Sequence, residues 1–295
     1  MRKIIKIMTS ILSVAFTIVF ITFVMKTRIS YPWYFEKLDI VSLQNRTKNN
    51  ELCIAIIDSG FDSKYQKYLN KEVICYDATG ENCTIDQTGH GSQIAMLIGS
   101  NSKLKNSIYG VNPNVQLISI RVTNSLGITT TEYLHNAFEI CKQLDVKAVN
   151  VSLGGTTYSE ILEKDIQDLK DNNILVACAS GDKKSNYLYP ANYNASYCIV
   201  AQKYDSSIYE LSNYKSNNNK KAIASPGVDI DVVVSGIDNK IYIDKKSGSS
   251  YATAIFTSYY SLICSIDEEF NLLKLDYLID NDLCYLNGYL NYNFK

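Results

Sequence analysis

The chain has 295 residues, of which 46% are hydrophobic and 20% are charged. This composition supplies enough apolar side chains for one large globular core, or at most two domains. The formal net charge is -1, so the overall charge gives no electrostatic reason to expect a nucleic acid as partner.

The amino-terminal residues are typical of a membrane segment. Residues 1–6 are basic, and residues 7–25 form an uncharged, mostly apolar run that would reach roughly 30 Å as a helix. A cleaved signal peptide is the alternative, but the run exceeds the usual ~7–15 apolar residues and no Ala-x-Ala-like site follows it. We therefore predict a transmembrane signal anchor at residues 7–25, followed by a juxtamembrane segment at residues 26–50.

The basic residues around this run predict its orientation. Three lysine or arginine side chains and the amino terminus precede the run, and two basic side chains follow it. Since cytoplasmic flanks carry the excess of basic residues, we expect a single-pass protein of the cell membrane. Its main domain would face the outside, or would be secreted if the segment is cleaved.

Residues 51–295 alternate between strand and helix patterns and are predicted to form one domain. Short β-branched runs predict strands at 51–57, 115–122, 147–152, 174–179 and 197–201. Helical periodicity predicts helices at 131–144 and 160–172. Such alternation predicts an α/β fold of three layers, in which helices cover both faces of a mostly parallel central sheet. Active sites of such sheets lie beyond the carboxyl ends of the strands.

Three short motifs supply a carboxylate, an imidazole and a hydroxyl. Asp58 follows an apolar run in Ile-Ile-Asp-Ser-Gly, His90 lies between two glycines, and Ser250 precedes a long apolar helix. Taken singly, such an aspartate is often a turn residue and such a serine often a helix cap. Together and in this order, the three residues predict an acyl-transfer triad.

The order of these motifs resembles that of the subtilisin-like serine proteases, or subtilases. Segments 110–122, 149–155 and 224–228 also resemble stretches of that family, in the same order, and the resemblance runs from Trp33 to about Cys264. It implies a serine endopeptidase in which Ser250 is the nucleophile, His90 the general base, and Asp58 the group that orients His90. The substrate would be an extended peptide or protein segment.

The resemblance also implies the walls of a peptide groove. Ser152, Leu153 and Gly154 resemble the segment that pairs with the substrate backbone, and Gly127 with Ile128 resembles the opposite wall. Main-chain pairing of this kind would provide affinity, and side-chain pockets would provide specificity.

The oxyanion site departs from the family pattern. The backbone N–H of Ser250 is one expected donor, but the side-chain donor, an asparagine in the family, falls on Asp182. A carboxylate donates only when it is protonated, so either Asp182 has a raised pKa or a nearby lysine or Asn186 compensates. The alternative hypothesis is a pseudoprotease that binds extended peptides after its catalysis has decayed.

No cofactor or metal ligand set is predicted. Structural calcium is common in the family, but no acidic cluster in this sequence can be assigned to it. Cys75 and Cys83 bracket a polar loop and could form a disulfide. No prodomain is evident between the apolar run and Trp33. The resemblance implies that members without a prodomain occur among the peptidases that trim leaders from ribosomally made peptides such as lantibiotics. Processing of a leader or exported peptide is therefore a further hypothesis.

Overall fold

The computed structural model describes residues 31–48, 51–101, 108–183, 188–213, 222–236, 238 and 240–280. They belong to one compact unit that begins at Pro32, apart from Tyr31. The expected basic amino terminus and transmembrane anchor lie outside the described residues. Among the described helices, none has the length and apolar character needed to cross a membrane.

Seven strands form one parallel sheet. They are β1 (Cys53–Asp58), β2 (Ile74–Asp77), β3 (Gln116–Arg121), β4 (Ala148–Val151), β5 (Leu175–Ala179), β6 (Tyr197–Gln202) and β7 (Ile223–Pro226). Their order in the sheet is β2-β3-β1-β4-β5-β6-β7, and every pairing is parallel. A separate antiparallel hairpin is formed by β8 (Ile230–Ser235) and β9 (Ile241–Lys246).

The helices cover both faces of this sheet. They are α1 (Trp33–Lys37), α2 (Ile40–Arg46), α3 (His90–Gly99), α4 (Thr131–Gln143), α5 (Glu160–Asp171), α6 (Ser249–Ile266) and α7 (Leu272–Asp280), with a short 3₁₀ helix at Ser63–Tyr68. Alternate residues of β1 point to opposite faces. Ile54 and Ile56 pack in the cluster that contains α3 and α6, whereas Ala55 and Ile57 pack with α4 and α5. The expected α/β fold with a mostly parallel central sheet is confirmed.

Helix α6 runs through the core on one face of the sheet. All of its residues are buried except Ser250 and the last residue, Ile266. Both threonine hydroxyls inside this helix donate to carbonyls of the same helix: Thr253 donates to the carbonyl of Ser249 (2.7 Å) and Thr257 to that of Thr253 (2.8 Å). Because such bonds satisfy buried hydroxyl groups, a helix that contains serine and threonine can be buried on all sides.

Candidate active site

The predicted site residues converge at one edge of the sheet. Strand β1 ends at Asp58, and its two neighbours, β3 and β4, end at Arg121 and Val151. Since the strands are parallel, these ends lie at the same edge. The loop that contains residues 127–128 follows β3 and the segment 152–154 follows β4, so the two predicted groove walls flank Asp58.

Asp58 and His90 form a close pair. The Nδ1 atom of His90 lies 2.9 Å from both carboxylate oxygens of Asp58. The Asp58 side chain is 4% exposed, whereas that of His90 is 31% exposed. The buried carboxylate therefore holds one ring nitrogen, and the rest of the imidazole remains accessible from the groove. This is the arrangement in which an aspartate fixes the tautomer and orientation of a general base.

Two further residues support this pair. The backbone N–H of Ser59 donates to Asp58 Oδ1 (2.7 Å), and the Ser59 hydroxyl donates to Asp86 (2.8 Å). Asp86 also accepts from the N–H groups of Gly89 and Ser92, at 2.8 Å each. It thus caps the helix that carries His90. Sequence reasoning missed Asp86; an aspartate four residues before the first residue of a helix was the available signal.

A close contact between two glycines brings the pair together. A Cβ atom at Gly91 would collide with the carbonyl oxygen of Gly60. This contact lets the start of α3 approach the end of β1. We expect Gly91→Ala to lower the free energy of unfolding by about 1–3 kcal/mol, because rigid backbone must move.

The Gly91→Ala variant would be measured by chemical denaturation and by peptide hydrolysis. Gly155→Ala is the matched control, since a Cβ there would meet no atom within 4 Å. Equal stability of the two variants would contradict the expected role of the contact.

The His90 imidazole has a raised pKa. Burial acts to lower this pKa, but the charge and hydrogen bond of Asp58 prevail and raise it above the ordinary value of 6.5. A general base must be neutral, so the rate of hydrolysis is expected to increase as pH rises through this pKa. Protonated His90 also stabilises the fold at acid pH, and this contribution is lost as pH rises through the folded-state pKa.

The pKa shift can be checked by NMR titration of the His90 ring proton in the full-length protein. His90 and His135 are the two histidines, so His135→Gln assigns the signals. We expect the His90 pKa to lie above 6.5 and to fall in Asp58→Asn. A pKa that does not respond to Asp58→Asn would show that the pair does not tune the base.

Ser250 lies in the first turn of α6, beside the segment after β4. Its hydroxyl donates to the carbonyl oxygen of Ser152 (3.0 Å), and the Ser152 hydroxyl donates back to the carbonyl of Ser250 (3.1 Å). The N–H of Ser250 has no acceptor within the helix, because the residue four positions earlier, Lys246, precedes the helix. The first turn therefore presents both a hydroxyl and a free backbone donor.

Tyr251 connects this turn to the His90 helix. Its ring centroid lies 6.0 Å from that of His90, and its hydroxyl donates to Oε1 of Gln93, in the same helix as His90 (3.1 Å). Burial raises the pKa of Tyr251 to about 12, so the donor proton is retained. Within the described part of the chain no hydrogen bond joins His90 to Ser250; in unliganded sites such bonds are often loose and tighten on substrate binding.

Asp182 lies at the amino terminus of the same helix, as an acceptor. Both of its carboxylate oxygens lie 2.9 Å from the backbone nitrogen of Ser249, and Oδ2 also accepts from the Ser249 hydroxyl (3.1 Å). Burial raises the pKa of Asp182 despite these hydrogen bonds. Asp182 thus contacts Ser249, the residue directly before Ser250. Its oxygens accept hydrogen bonds from the first turn of the helix, whereas the predicted role was that of an oxyanion donor. Asn186, the alternative donor, lies outside the described residues.

The opposite groove wall is held by an ion pair between the buried Arg121 and Glu81, which is exposed. Gly127, with φ of 76°, forms the turn that contains Ile128, whose side chain is exposed. Glu81 accepts from the backbone N–H and the hydroxyl of Ser125, at 2.9 Å each. It also accepts from the fully buried guanidinium of Arg121 (2.8 Å). This chain of contacts fixes the turn next to the site.

The second histidine belongs to a different cluster. His135, Glu139 and Asp165 lie close enough to reach one ion. However, the Lys142 ammonium already lies 2.7 Å from Glu139 and 2.8 Å from Asp165, so a cation occupies the cluster. We assign no metal to it, and the expected absence of a cofactor stays a prediction.

The disulfide considered for Cys75 and Cys83 is not formed in the structure. Both residues are free thiols.

An acid, an imidazole and a serine hydroxyl at the carboxyl edge of a parallel sheet are the groups from which serine hydrolases of the α/β class build their active sites. The chain belongs to the subtilase family (Peptidase_S8), whose model matches residues 49–279. The suspected family is therefore confirmed by an independent comparison.

Several known proteases are similar to this chain. It is 31% identical to the cell wall-associated protease of Bacillus subtilis (strain 168) over 216 residues, which cover 72% of this chain and 23% of that protein. It is 26% identical to the alkaline protease of Alkalihalobacillus alcalophilus, over 78% of this chain and 56% of that protein. Subtilisin Savinase of Lederbergia lenta is also 26% identical, with 78% and 79% covered. The chain thus spans about a quarter and about half of the first two relatives.

A solved structure shares the fold. The prenylagaramide maturation protease PagA superimposes with a TM-score of 0.65 at 21% identity, covering 78% of this chain and 81% of that structure. At this identity the likeness concerns the fold alone.

Proposed function

We propose that this protein is a serine endopeptidase that cleaves extended peptide segments through an acyl-enzyme on Ser250. The observation that carries the proposal is the Asp58–His90 pair, with both contacts at 2.9 Å, beside Ser250, the half-buried first-turn serine of a buried helix. In this mechanism His90 takes the Ser250 proton as the hydroxyl attacks the carbonyl carbon. His90 then gives that proton to the leaving amine, and water releases the acyl group by the reverse steps.

The groove supports an extended peptide as substrate. Within the described part of the chain, the backbone groups of Leu153 and Gly154 make no hydrogen bond. A substrate strand can satisfy these groups by main-chain pairing, with Gly127 and Ile128 on its other side. Such binding requires an unfolded or loop segment, because a folded strand or helix already uses its own main-chain groups.

The N–H of Ser250 is the backbone donor for the oxyanion. It lies at a helix amino terminus, where the unpaired N–H groups and the helix dipole favour negative charge. Asp182 can act as a second donor only in its protonated form, and its raised pKa increases the fraction of that form.

The natural role is proposed to be processing of a leader or exported peptide at the outer face of the cell membrane. Two observations support this role. Residues 7–25 have the length and apolarity of a membrane anchor, and the fold resembles that of a protein described as a maturation protease.

A second candidate function is that of a peptide-binding pseudoprotease. The observation in its favour is Asp182, whose oxygens accept from the backbone N–H and the hydroxyl of Ser249. An ionised Asp182 would leave the oxyanion with one donor fewer.

The test uses purified full-length protein in detergent micelles. A panel of unrelated, reduced and alkylated proteins would be digested and the products identified by mass spectrometry. Cleavage at a few defined bonds would support a processing endopeptidase, and cleavage at many bonds would instead indicate general degradation. Tight binding of peptides without any cleavage would favour the pseudoprotease.

A further inference from the structure

We propose that Leu188 fills much of the pocket beside Ser250, so that the enzyme cleaves after small side chains, with serine preferred. This inference rests on the proposed peptidase function and names its substrate class. The pocket would bind the substrate side chain that directly precedes the scissile bond.

The pocket lies between the segments that follow two neighbouring strands, β4 and β5. The first segment contributes Ser152, whose carbonyl accepts from the Ser250 hydroxyl at 3.0 Å. The second contributes Asp182, which accepts from the backbone N–H of Ser249 at 2.9 Å. Both segments therefore meet the first turn of α6, and the gap between them lies next to the nucleophile.

Each segment has a glycine at this gap, Gly154 in the first and Gly181 in the second, so neither residue places a side chain in it. A Cβ atom at Gly154 would lie 3.3 Å from Cβ of Leu188, and one at Gly181 would overlap the Cδ1 atom of Leu188. The leucine side chain thus reaches both glycines and occupies the gap between them. A substrate side chain that enters this gap must share it with Leu188.

The position of Leu188 is fixed by its neighbour. Tyr189 and Gly155 exchange two backbone hydrogen bonds, with N–O distances of 2.9 Å and 2.8 Å. These bonds join the chain around Leu188 to the segment that would pair with the substrate. These bonds hold the backbone next to Leu188 in place, so the side chain is directed at the gap between the two glycines.

Asn213 adds a polar group at the same place. Its side-chain Nδ2 atom would lie 2.8 Å from a Cβ at Gly181, and its backbone N–H donates to the Gly181 carbonyl (2.9 Å). Among the described residues, neither the oxygen nor the nitrogen of its buried amide has a hydrogen-bond partner. Unpaired buried polar atoms destabilise a fold unless a ligand completes them.

The two features together define the side chain that fits. The volume taken by Leu188 favours glycine, alanine and serine over leucine or phenylalanine. The Asn213 amide distinguishes among the small residues, because a serine hydroxyl can both donate to it and accept from it. We therefore expect the order serine, then alanine and glycine, then larger residues.

The inference is tested with acetyl-Ala-Ala-Ala-X-para-nitroanilide substrates, where X is Gly, Ala, Ser, Leu or Phe. Hydrolysis is measured with the full-length protein, and binding of the corresponding amides is measured with Ser250→Ala. We expect serine and alanine to exceed leucine and phenylalanine by at least about tenfold, since steric exclusion from a pocket costs this much or more.

Two variants assign the selectivity to the named residues. Leu188→Ala should reduce the small-over-large ratio by about tenfold or more, whereas Leu211→Ala, at a leucine that is 42% exposed, should leave it unchanged. Asn213→Ala should reduce the preference for serine over alanine. If Leu188→Ala fails to fold, the profile of the parent protein alone decides the size preference.

The outcomes separate this inference from the proposed function. A parent protein that hydrolyses the leucine or phenylalanine substrate as fast as the serine substrate would overturn the inference and leave the peptidase standing. Selective binding of the small amides with no hydrolysis of any substrate would support the pocket and reject the peptidase. Unchanged selectivity in a folded Leu188→Ala variant would also overturn the inference.

Discussion

Ser250→Ala is expected to lower the turnover number by about a million-fold, the magnitude observed when the serine or histidine of a subtilisin triad is removed. The variant loses the only hydroxyl of α6 that is not buried, and with it the bond that forms in the acyl-enzyme. The measurement is hydrolysis of a chromogenic peptide by the full-length protein, together with labelling by a fluorophosphonate probe.

The neighbouring serine provides a matched control. Ser249 is buried, and its hydroxyl donates to Asp182 and accepts from the N–H of Gly181 (3.0 Å). Ser249→Ala should therefore affect stability more than labelling. Labelling that survives Ser250→Ala and is lost in Ser249→Ala would show that the nucleophile has been assigned to the wrong residue.

The sequence was sufficient to predict the central strands and the edge of the sheet at which the site lies. The predicted strands at 115–122 and 174–179 correspond to β3 (Gln116–Arg121) and β5 (Leu175–Ala179). These strands are buried on both faces and therefore read as continuous apolar runs. Once a parallel sheet is established, the edge at which Asp58 lies follows from the strand direction alone.

Two of the strands that were missed, β2 and β9, have weaker patterns. Strand β2 lies at the edge of the sheet and is mostly half-buried or exposed, so it lacks a continuous apolar run. Strand β9 carries the charged residues Asp244, Lys245 and Lys246 on its exposed part. Edge strands of this kind are commonly charged, and this composition resembles that of a loop.

The supporting residues of the site were missed for a different reason. Tyr251 and Leu188 act through contacts with residues that are distant in sequence or belong to other elements. Tyr251, for example, reaches Gln93 across 158 positions. Spacing along the chain contains no information on such contacts, so only the folded structure identifies them.

Asp182→Asn is expected to raise the turnover number by about 10²–10³-fold at neutral pH, the value of one oxyanion donor. The amide oxygen of asparagine can keep one hydrogen bond from the Ser249 N–H, where Asp182 now accepts at 2.9 Å. The amide nitrogen supplies a donor that an ionised carboxylate lacks. The substitution therefore keeps the helix contact and adds stabilisation of the transition state.

The effect should depend on pH in a defined direction. Burial raises the pKa of Asp182, and only the protonated acid can donate. The ratio of variant to parent rate should therefore be smallest at acid pH and should grow as pH rises through this pKa. Because the folded-state pKa is raised, the stability that the protonated acid contributes is lost as pH rises through the same range. At neutral pH, Asp182→Asn should therefore melt at a higher temperature than the parent protein.

Asp182→Ala separates the two roles of the side chain. It removes the acceptor for Ser249 without adding a donor, so it should lower stability and should not raise the rate. An Asp182→Asn protein that is no faster than the parent at any pH would show that the oxyanion is already fully stabilised by other donors, such as the N–H of Ser250. A faster variant whose advantage grows with pH would instead show that the native carboxyl group limits catalysis. The enzyme would then be slowed at neutral pH by the same residue that caps its nucleophile helix.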